Sequence, residues 1–142
     1  MNTQINAYLT FKNNCEEAMT FYQECLGGEL TLNRIKGSAM ESQFPPEQRD
    51  LIMHANLVKD RLSLMGSDMF CTGETANLEH GNAMALSLHC SSEEEIKTFF
   101  SKLSAGGQIT DPLKDQFWGA LFGMLTDKFG VKWLLNFEKN QA

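Results

Sequence analysis

The sequence predicts an α+β fold in which one small unit, a strand, a helix and three further strands, occurs twice. Residues 14–30 have a second copy at residues 92–109. The matching residues are Glu16 and Glu94, Phe21 and Phe99, and Gly27 and Gly106. In both copies apolar residues fall at i, i+3, i+4 and i+7, which is the spacing of one buried helix face. Because a fixed repeat predicts a repeated structural unit, each half is expected to cover its own strands with its own helix.

In the first half, alternating apolar and polar residues predict strands on both sides of the helix. The predicted strands are residues 5–11, 29–35, 51–58 and 61–67. Residues 36–50 are predicted to form a long loop, since Pro45 and Pro46 disfavour regular structure. In the first strand Ile5 is expected to face the helix, whereas Asn6 and Tyr8 face away from it.

The second half repeats this order. Its predicted strands are residues 83–89, 108–110, 121–126 and 131–137. Pro112 predicts a loop at residues 111–116. In both halves the strand face turned away from the helix is polar or small, which makes it poor core but suitable for the wall of a cavity.

The chain is predicted to be a single domain over residues 1–142, made of repeats 1–67 and 83–138 that residues 68–82 join. A chain of this length buries about two thirds of the surface of its unfolded form. Each half alone has one helix to cover its sheet. We therefore expect neither half to be stable alone.

Composition excludes several classes of partner. The formal charge of −6 and the lack of a basic run argue against nucleic acid. No apolar run approaches the roughly 18 residues that span a membrane. The four cysteines form no CxxC pair and no leader peptide is evident, so we expect reduced thiols in the cytoplasm. Cys15 and Cys71 are predicted to be the more exposed ones.

Several motifs resemble the vicinal oxygen chelate superfamily, which includes glyoxalases, bleomycin-resistance proteins and extradiol dioxygenases, and in particular its PhnB-like branch. The matching stretches are AYLTF at 7–11, NCEEAMTFYQECLGGEL at 14–30, HAN at 54–56, GSD at 66–68, AGG at 105–107, FW at 117–118 and TDKFGVKW at 126–133. The resemblance implies a glyoxalase-like fold, with curved mixed sheets that enclose a cup and helices on the outside. It also implies a homodimer.

Metal-dependent members of this superfamily hold a divalent ion through four inward His or Glu side chains, an oxygen and nitrogen ligand set that suits Ni, Zn, Mn or Fe. The resemblance places the four positions at Asn6, at Leu64, at Ala83 or (with a shift of two residues) Ala85, and at Leu134. None of these side chains is His, Asp or Glu. We therefore predict no metal and no other cofactor.

The cup residues that remain predict a binding surface for a small molecule. The candidate ligand-binding residues are Asn6, Tyr8, His54, Asn56, Leu64, Ser87, His89, Phe117, Trp118 and Leu134. His54 and His89 could bind a ligand, transfer a proton or bind an ion in a non-standard site. The simpler alternative is that each histidine makes hydrogen bonds to protein groups beside the cavity, since an ion would also require further side chains to coordinate it. Trp133 is predicted to pack in the core, and Trp118 to lie at the rim. No catalytic residue is assigned.

These observations favour a metal-independent small-molecule-binding protein, as the resistance proteins of this superfamily are. The alternative is a glyoxalase-like lyase, isomerase or dioxygenase that uses the cup histidines or a bound divalent metal. A third possibility is a dimeric interaction module whose cups are filled by its own side chains. Proteins resembling this branch are sometimes described as demethylubiquinone methyltransferases, but the chain lacks the glycine-rich turn of a nucleotide cofactor site.

Overall fold

The computed structural model describes residues 3–68 and 78–139. The chain divides into two compact units, Met1–Leu78 and Glu79–Ala142. Each unit holds one four-stranded sheet and one α-helix, in the order strand, helix and three strands. The doubled unit expected from the repeat is therefore confirmed.

In unit 1 the helix connects the first two strands. The elements are β1 (Ala7–Thr10), α1 (Cys15–Leu26), β2 (Glu29–Arg34), β3 (Ile52–Lys59) and β4 (Leu62–Ser67). The strands of sheet 1 lie in the order β1-β4-β3-β2, with β1 parallel to β4 and the other neighbours antiparallel. The sheet is therefore mixed, as predicted.

Unit 2 repeats this arrangement. Its elements are β5 (Leu86–His89), α2 (Glu93–Ser104), β6 (Gln108–Asp115), β7 (Ala120–Thr126) and β8 (Lys132–Glu138). The strands of sheet 2 lie in the order β5-β8-β7-β6, and only β5 and β8 are parallel. Sheet 2 thus has the topology of sheet 1.

One glycine in each sheet identifies the face that the helix covers. A Cβ added to Gly66 would lie 3.1 Å from the ring of Phe11 and 3.2 Å from the sulfur of Met19, a residue of α1. A Cβ added to Gly123 would lie 2.7 Å from the ring of Phe100, a residue of α2. Because paired residues in a ladder share a face, the strand registers then assign every other side chain to the helix side or the opposite side.

The two helices begin differently. Asn14 and Ser92, each followed by a glutamate three residues later, are the helix caps that the sequence predicts. Ser92 accepts a hydrogen bond from the backbone N–H of Glu95, as this pattern predicts for α2. Asn14 makes no such bond at α1, so the prediction there was wrong. Instead the buried carboxylate of Asp68 accepts hydrogen bonds from the backbone N–H groups of Cys15 and Ile52, which ties α1 to the end of β4 and the start of β3.

Four details differ from the sequence prediction. Residues 111–115 continue strand β6 because Pro112 lies on an edge strand with an irregular register, where a missing N–H is tolerated. The loop 36–50 contains two short 3₁₀ turns, Glu41–Gln43 and Pro46–Gln48. Ile5 lies before β1 and is fully exposed. The second unit's first strand begins at Leu86 rather than at residue 83.

Among the described residues neither α-helix is long and apolar enough to cross a membrane. Helix α1 buries the apolar stripe that the sequence predicts, and α2 buries its stripe except for Phe99, which is only partly buried. The buried stripe residues are Ala18, Phe21, Tyr22 and Cys25 in α1 and Ile96, Phe100 and Leu103 in α2. The predictions about Cys71 and most of the connection 68–82 fall outside the described residues.

Candidate functional site

The face of sheet 1 opposite helix α1 is lined mainly by polar side chains. We define the polar face of sheet 1 by Tyr8, Thr31, Asn33, His54, Asn56 and Met65. In the strand registers Tyr8 pairs with Met65, Met65 with Asn56, and Asn56 with Thr31, so these four side chains form one row across the sheet. The alternation in the sequence predicted this face for Tyr8, His54 and Asn56. Their role in binding stays a prediction.

Tyr8 and His54 are hydrogen bonded to each other on this face. The Tyr8 hydroxyl lies 3.1 Å from Nδ1 of His54, and the two ring centroids are 5.6 Å apart. When the hydroxyl donates to Nδ1, the neutral imidazole carries its proton on Nε2 and can donate to a ligand. When Nδ1 donates to the hydroxyl, Nε2 becomes an acceptor. The pair can therefore meet either a donor or an acceptor.

Asn56 carries an unpaired polar atom. Its side-chain oxygen exposes less than 1 Å² and has no hydrogen-bond partner. Among the described residues this is the single buried side-chain N or O atom without a partner. Leaving a buried acceptor unpaired costs about 1 to 3 kcal/mol. Such an atom in a native fold calls for an explanation, and a ligand donor is one.

Leu64 does not lie on the polar face, so this placement was wrong. It pairs with Ala7 and Leu57 and shares the helix-side parity of Gly66, two residues further along β4. Its side chain is buried, with 3% exposed, on the side that α1 covers. The alternation of Leu62, Ser63 and Leu64 in β4 was the sequence signal that could have placed Leu64 on the apolar, helix-covered side. Asn6 precedes β1 and is exposed.

The opposite face of sheet 2 has a different composition. We define the mixed face of sheet 2 by Ser87, His89, Phe122, Met124, Leu134 and Asn136. Ser87 pairs with Leu134, and Leu134 with Met124, in one row across the sheet. His89 occupies the neighbouring row and is exposed. Ser87, His89 and Leu134 thus lie on the face that the sequence predicted, and their contact with a ligand stays a prediction.

An aromatic cluster lies beside this mixed face. Phe117 and Trp118 lie in the connection between β6 and β7, with 96% and 49% of their surface exposed. Their rings meet edge to face with centroids 5.0 Å apart, and the Trp118 ring also approaches Phe122 at 6.2 Å. Trp118 therefore connects the exposed turn to the mixed face. Trp133, in contrast, is buried as predicted and donates from Nε1 to Asp127.

The described cysteines are unsuited to nucleophilic chemistry. Cys15 is buried rather than exposed, and this burial, followed by the charge of Asp68, raises the pKa of its thiol to about 12. Burial and the charge of Glu95 raise the pKa of the Cys90 thiol to about 12 as well. Because the thiolate is the reactive form, both groups are inert near neutral pH.

An open groove of about 480 Å³ lies beside edge strand β2. Its lining residues are Leu32, Asn33, Arg34, Lys36, Gly37, Ser38 and Met53. Asn33 also belongs to the polar face, so the groove adjoins that face. None of the predicted ligand-binding residues lines it. The long loop after β2 was the sequence feature that could have indicated it.

The residues at the four positions that the resemblance assigns to a metal do not suit a divalent ion. Asn6 offers one neutral oxygen, Leu134 has no donor, and Leu64 faces the helix. Ala83 and Ala85 are exposed and precede β5. Within residues 3–68 and 78–139 no group of three or more His, Cys, Asp or Glu side chains could hold a metal.

Comparison with known families and proteins gives a consistent picture. The family described as 3-demethylubiquinone-9 3-methyltransferase matches residues 3–136. Protein YjdN of Escherichia coli K12 is 34% identical, over 96% of this chain and 97% of its own length.

Solved structures agree. Protein PA1353 from Pseudomonas aeruginosa has a TM-score of 0.82 and 38% identity, with 96% of this chain and 98% of its own chain covered. The PhnB protein from Bacillus cereus has a TM-score of 0.74 and 30% identity, with coverage of 95% and 99%. A glyoxalase/bleomycin resistance protein/dioxygenase family enzyme from Burkholderia phytofirmans shares the fold, with a TM-score of 0.62 and 12% identity, over 93% of this chain and 97% of its own. The chain therefore belongs to the family described as 3-demethylubiquinone-9 3-methyltransferase, is similar to a PhnB protein, and shares its fold with glyoxalase/bleomycin resistance protein/dioxygenase structures.

Proposed function

We propose that this protein binds a small molecule without a metal ion, and that the polar face of sheet 1 supplies the recognition groups. The observation that carries the proposal is the Tyr8–His54 hydrogen bond beside the unpaired oxygen of Asn56. Three polar side chains on one sheet face offer hydrogen bonds that a core would not need. A few such groups on a concave surface are what orient a small ligand.

The donor set supports metal independence. The positions that would hold an ion carry Asn, Leu, Ala and Leu, and a leucine or alanine side chain cannot ligate a cation. A ligand that makes hydrogen bonds to Tyr8, His54 and Asn56 needs no such ion.

A thermal-shift screen tests both parts of this proposal. Metabolites and the chlorides of Zn, Ni and Mn are added separately, because preferential binding to the native state raises the melting temperature. We expect at least one metabolite to raise the melting temperature in the presence of EDTA, and this rise to shrink in a His54→Ala variant. Stabilisation that needs one of the metals would contradict metal independence. A response unchanged in His54→Ala would contradict the placement on sheet 1.

A second candidate function is a lyase or isomerase that uses His54 for proton transfer. When Nδ1 of His54 donates to the Tyr8 hydroxyl oxygen, the imidazole is held in one orientation and Nε2 is left unprotonated toward a substrate, which is the arrangement a general base requires. Tyr8→Phe should then reduce turnover less than His54→Ala, since the phenylalanine removes the positioning bond and keeps the base. His89→Ala, on the face of sheet 2, is the matched control and should retain turnover.

The family description names methyl transfer. A methyltransferase that binds a nucleotide-like cofactor would be expected to have a glycine-rich turn between a strand and a helix, and the sequence contains no such motif. S-adenosylmethionine should therefore leave the melting temperature unchanged in the same screen. A rise in melting temperature would instead support methyl transfer as the function.

We further propose that the protein is a cytoplasmic homodimer. Cys15, Cys25 and Cys90 are reduced cysteines, which suits a reducing compartment. The exposed rings of Phe117 and Trp118 suit a protein contact, since aromatic side chains are enriched at interfaces. Analytical ultracentrifugation of the wild type and of Phe117→Ser measures the oligomeric state. A monomeric wild type would contradict the proposed dimer.

A further inference from the structure

The unpaired oxygen of Asn56 constrains the chemistry of the ligand. An asparagine oxygen only accepts hydrogen bonds, so the group that completes it must be an N–H or O–H donor. A carboxylate placed there would set two acceptors against each other. The formal charge of −6 on the whole chain adds to that repulsion. The site therefore disfavours anions at this point.

The neighbours of Asn56 allow a ligand to reach the oxygen. Asn56 lies between Met65 on β4 and Thr31 on β2 in the row across sheet 1. The methionine side chain is unbranched and moves at low cost. This movement requires no change of the backbone and leaves the direction of the Asn56 oxygen unaltered.

A second hydrogen-bonding side chain, His54, lies near Asn56 on the same strand. His54 and Asn56 are two residues apart on β3 and share a face, which places their Cα atoms about 7 Å apart. Nδ1 of His54 is engaged with Tyr8, so its Nε2 is the nitrogen available for a ligand. A primary carboxamide carries an N–H donor and a C=O acceptor on one small planar group, and so matches both positions.

We propose that Asn56 selects for a hydrogen-bond donor, and that the polar face of sheet 1 takes a neutral carboxamide in preference to the corresponding carboxylate. This inference rests on the proposed function, since it names the class of ligand for the same face.

The first experiment needs no ligand. In Asn56→Leu the unpaired acceptor is replaced by an apolar side chain of similar size, and Asn33→Leu on the neighbouring strand is the matched control. We expect the melting temperature of Asn56→Leu to equal or exceed that of the wild type, because a group that waits for a ligand contributes no bond to the free protein. A clear fall in Asn56→Leu that Asn33→Leu does not show would mean that Asn56 serves the fold, and would overturn the inference.

The second experiment compares benzamide, benzoate and N,N-dimethylbenzamide by NMR titration of the full-length protein. We expect benzamide to shift the backbone amide resonances of His54 and Asn56, and the two probes without an N–H donor to bind at least about fivefold more weakly. In Asn56→Leu this preference should disappear. Equal binding of benzamide and benzoate, or a preference that persists in Asn56→Leu, would overturn the inference.

The outcomes also separate this inference from the proposed function. If none of the three probes shifts the β3 resonances but a screened metabolite does, the carboxamide inference fails and the proposed function stands. If no metabolite and no probe shifts these resonances or the melting temperature, both fail.

Discussion

The two units share one topology but differ on the sheet face that their helices leave uncovered. In unit 1 this face is polar, with Tyr8 hydrogen bonded to His54 and with the unpaired oxygen of Asn56. In unit 2 the corresponding face carries Phe122, Met124 and Leu134 among its polar residues, with an aromatic cluster beside it. The face of unit 1 suits recognition of polar groups, whereas the face of unit 2 suits apolar contact.

The helix-covered sides are more alike, although they are not built from the same positions. In each unit a glycine on the sheet allows the helix side to pack closely. This glycine is Gly66 on β4 in unit 1 and Gly123 on β7 in unit 2. Each unit also fixes backbone groups with one buried aspartate, Asp68 or Asp127. The two units therefore meet the same packing requirement with different residues, and they differ most on the face opposite the helix.

Replacing the buried aspartates should reduce stability most, and by different amounts in the two units. Asp127 accepts hydrogen bonds from the backbone N–H groups of Phe129 and Val131 and from Nε1 of Trp133, at 2.8 to 3.1 Å. Asp68 accepts from two backbone N–H groups. Because Asp127→Ala leaves three donors without this partner, we expect it to lower the free energy of unfolding by about 3 to 5 kcal/mol. Asp68→Ala should cost about 1 kcal/mol less.

Urea denaturation of both alanine variants measures this difference. Asp127→Asn is the control, because its oxygen can still accept from Phe129 and Val131 while its amide group meets the indole N–H. Its stability should therefore lie between those of the wild type and Asp127→Ala. A loss in Asp68→Ala that exceeds the loss in Asp127→Ala would contradict the ordering by number of donors.

The glycines under the helices give the next effect. A Cβ on Gly123 would lie 2.7 Å from Phe100 and 2.9 Å from the Leu113 side chain, whereas the nearest contacts at Gly66 are 3.1 to 3.3 Å. We expect Gly123→Ala to destabilise the protein by about 1 to 3 kcal/mol through overpacking, and Gly66→Ala to cost less than about 1 kcal/mol. Urea denaturation measures both. Equal losses would mean that both helices shift as easily.

Much of this fold is encoded by local patterns. The helix stripes of Ala18, Phe21 and Tyr22 and their counterparts in α2 predict which face is buried, and the structure buries them except for Phe99, which is only partly buried. The alternation around His54 likewise predicts the polar face, since a strand has a period of two. The repeat and the family motifs then give the topology, which periodicity alone does not determine.

The errors occur where tertiary structure decides. The face of Leu64 was misassigned because the family position was given more weight than the Leu62–Ser63–Leu64 alternation, and its register with β1 and β3 places it on the helix side. The cap of α1 comes from Asp68, which lies 53 residues beyond Cys15 in the chain and so leaves no local motif. The Tyr8–His54 bond and the unpaired oxygen of Asn56 also depend on strand pairing. The candidate site therefore could be placed on a face but not assembled from the sequence.

The buried thiols should behave alike in the two units. Burial raises the pKa of both the Cys15 and Cys90 thiols from an ordinary value near 9.0 to about 12. The unfolded chain therefore loses these protons first as the pH rises, and stability that is fully present below about pH 9 is lost between about pH 9 and 12. Between pH 9 and 10 each thiol should lower the free energy of unfolding by about 1 kcal/mol.

Urea denaturation across this pH range checks the prediction with Cys15→Ala, Cys90→Ala and the double variant. Other groups that titrate there contribute the same slope to every variant, so the loss of slope isolates the thiols. Each single substitution should flatten the dependence on pH, and the double substitution should flatten it further. A double variant with the slope of the wild type would show that both thiols ionise as readily in the folded state.

The smallest effect concerns the ion pairs at the helix starts. Glu16 at the start of α1 pairs with Arg34 of β2 at 2.7 Å, while Glu93 at the start of α2 lies 3.4 Å from Lys139, which also contacts Asp115. The hydrogen bond from Arg34 lowers the pKa of Glu16, so this pair stabilises the fold above the ordinary glutamate range and the contribution is lost as the pH falls through the lowered pKa.

Because both partners of the Arg34–Glu16 pair are exposed to water, Arg34→Gln should cost no more than about 1 kcal/mol at low salt and less at high salt. NMR titration of the Glu16 carboxyl should show its pKa return toward the ordinary value in this variant. Lys139→Gln is the matched change in unit 2 and should leave the titration of Glu16 unaltered. A Glu16 pKa that stays low in Arg34→Gln would mean that the α1 dipole, rather than the ion pair, sets it, and the two helix starts would then differ less than their geometry indicates.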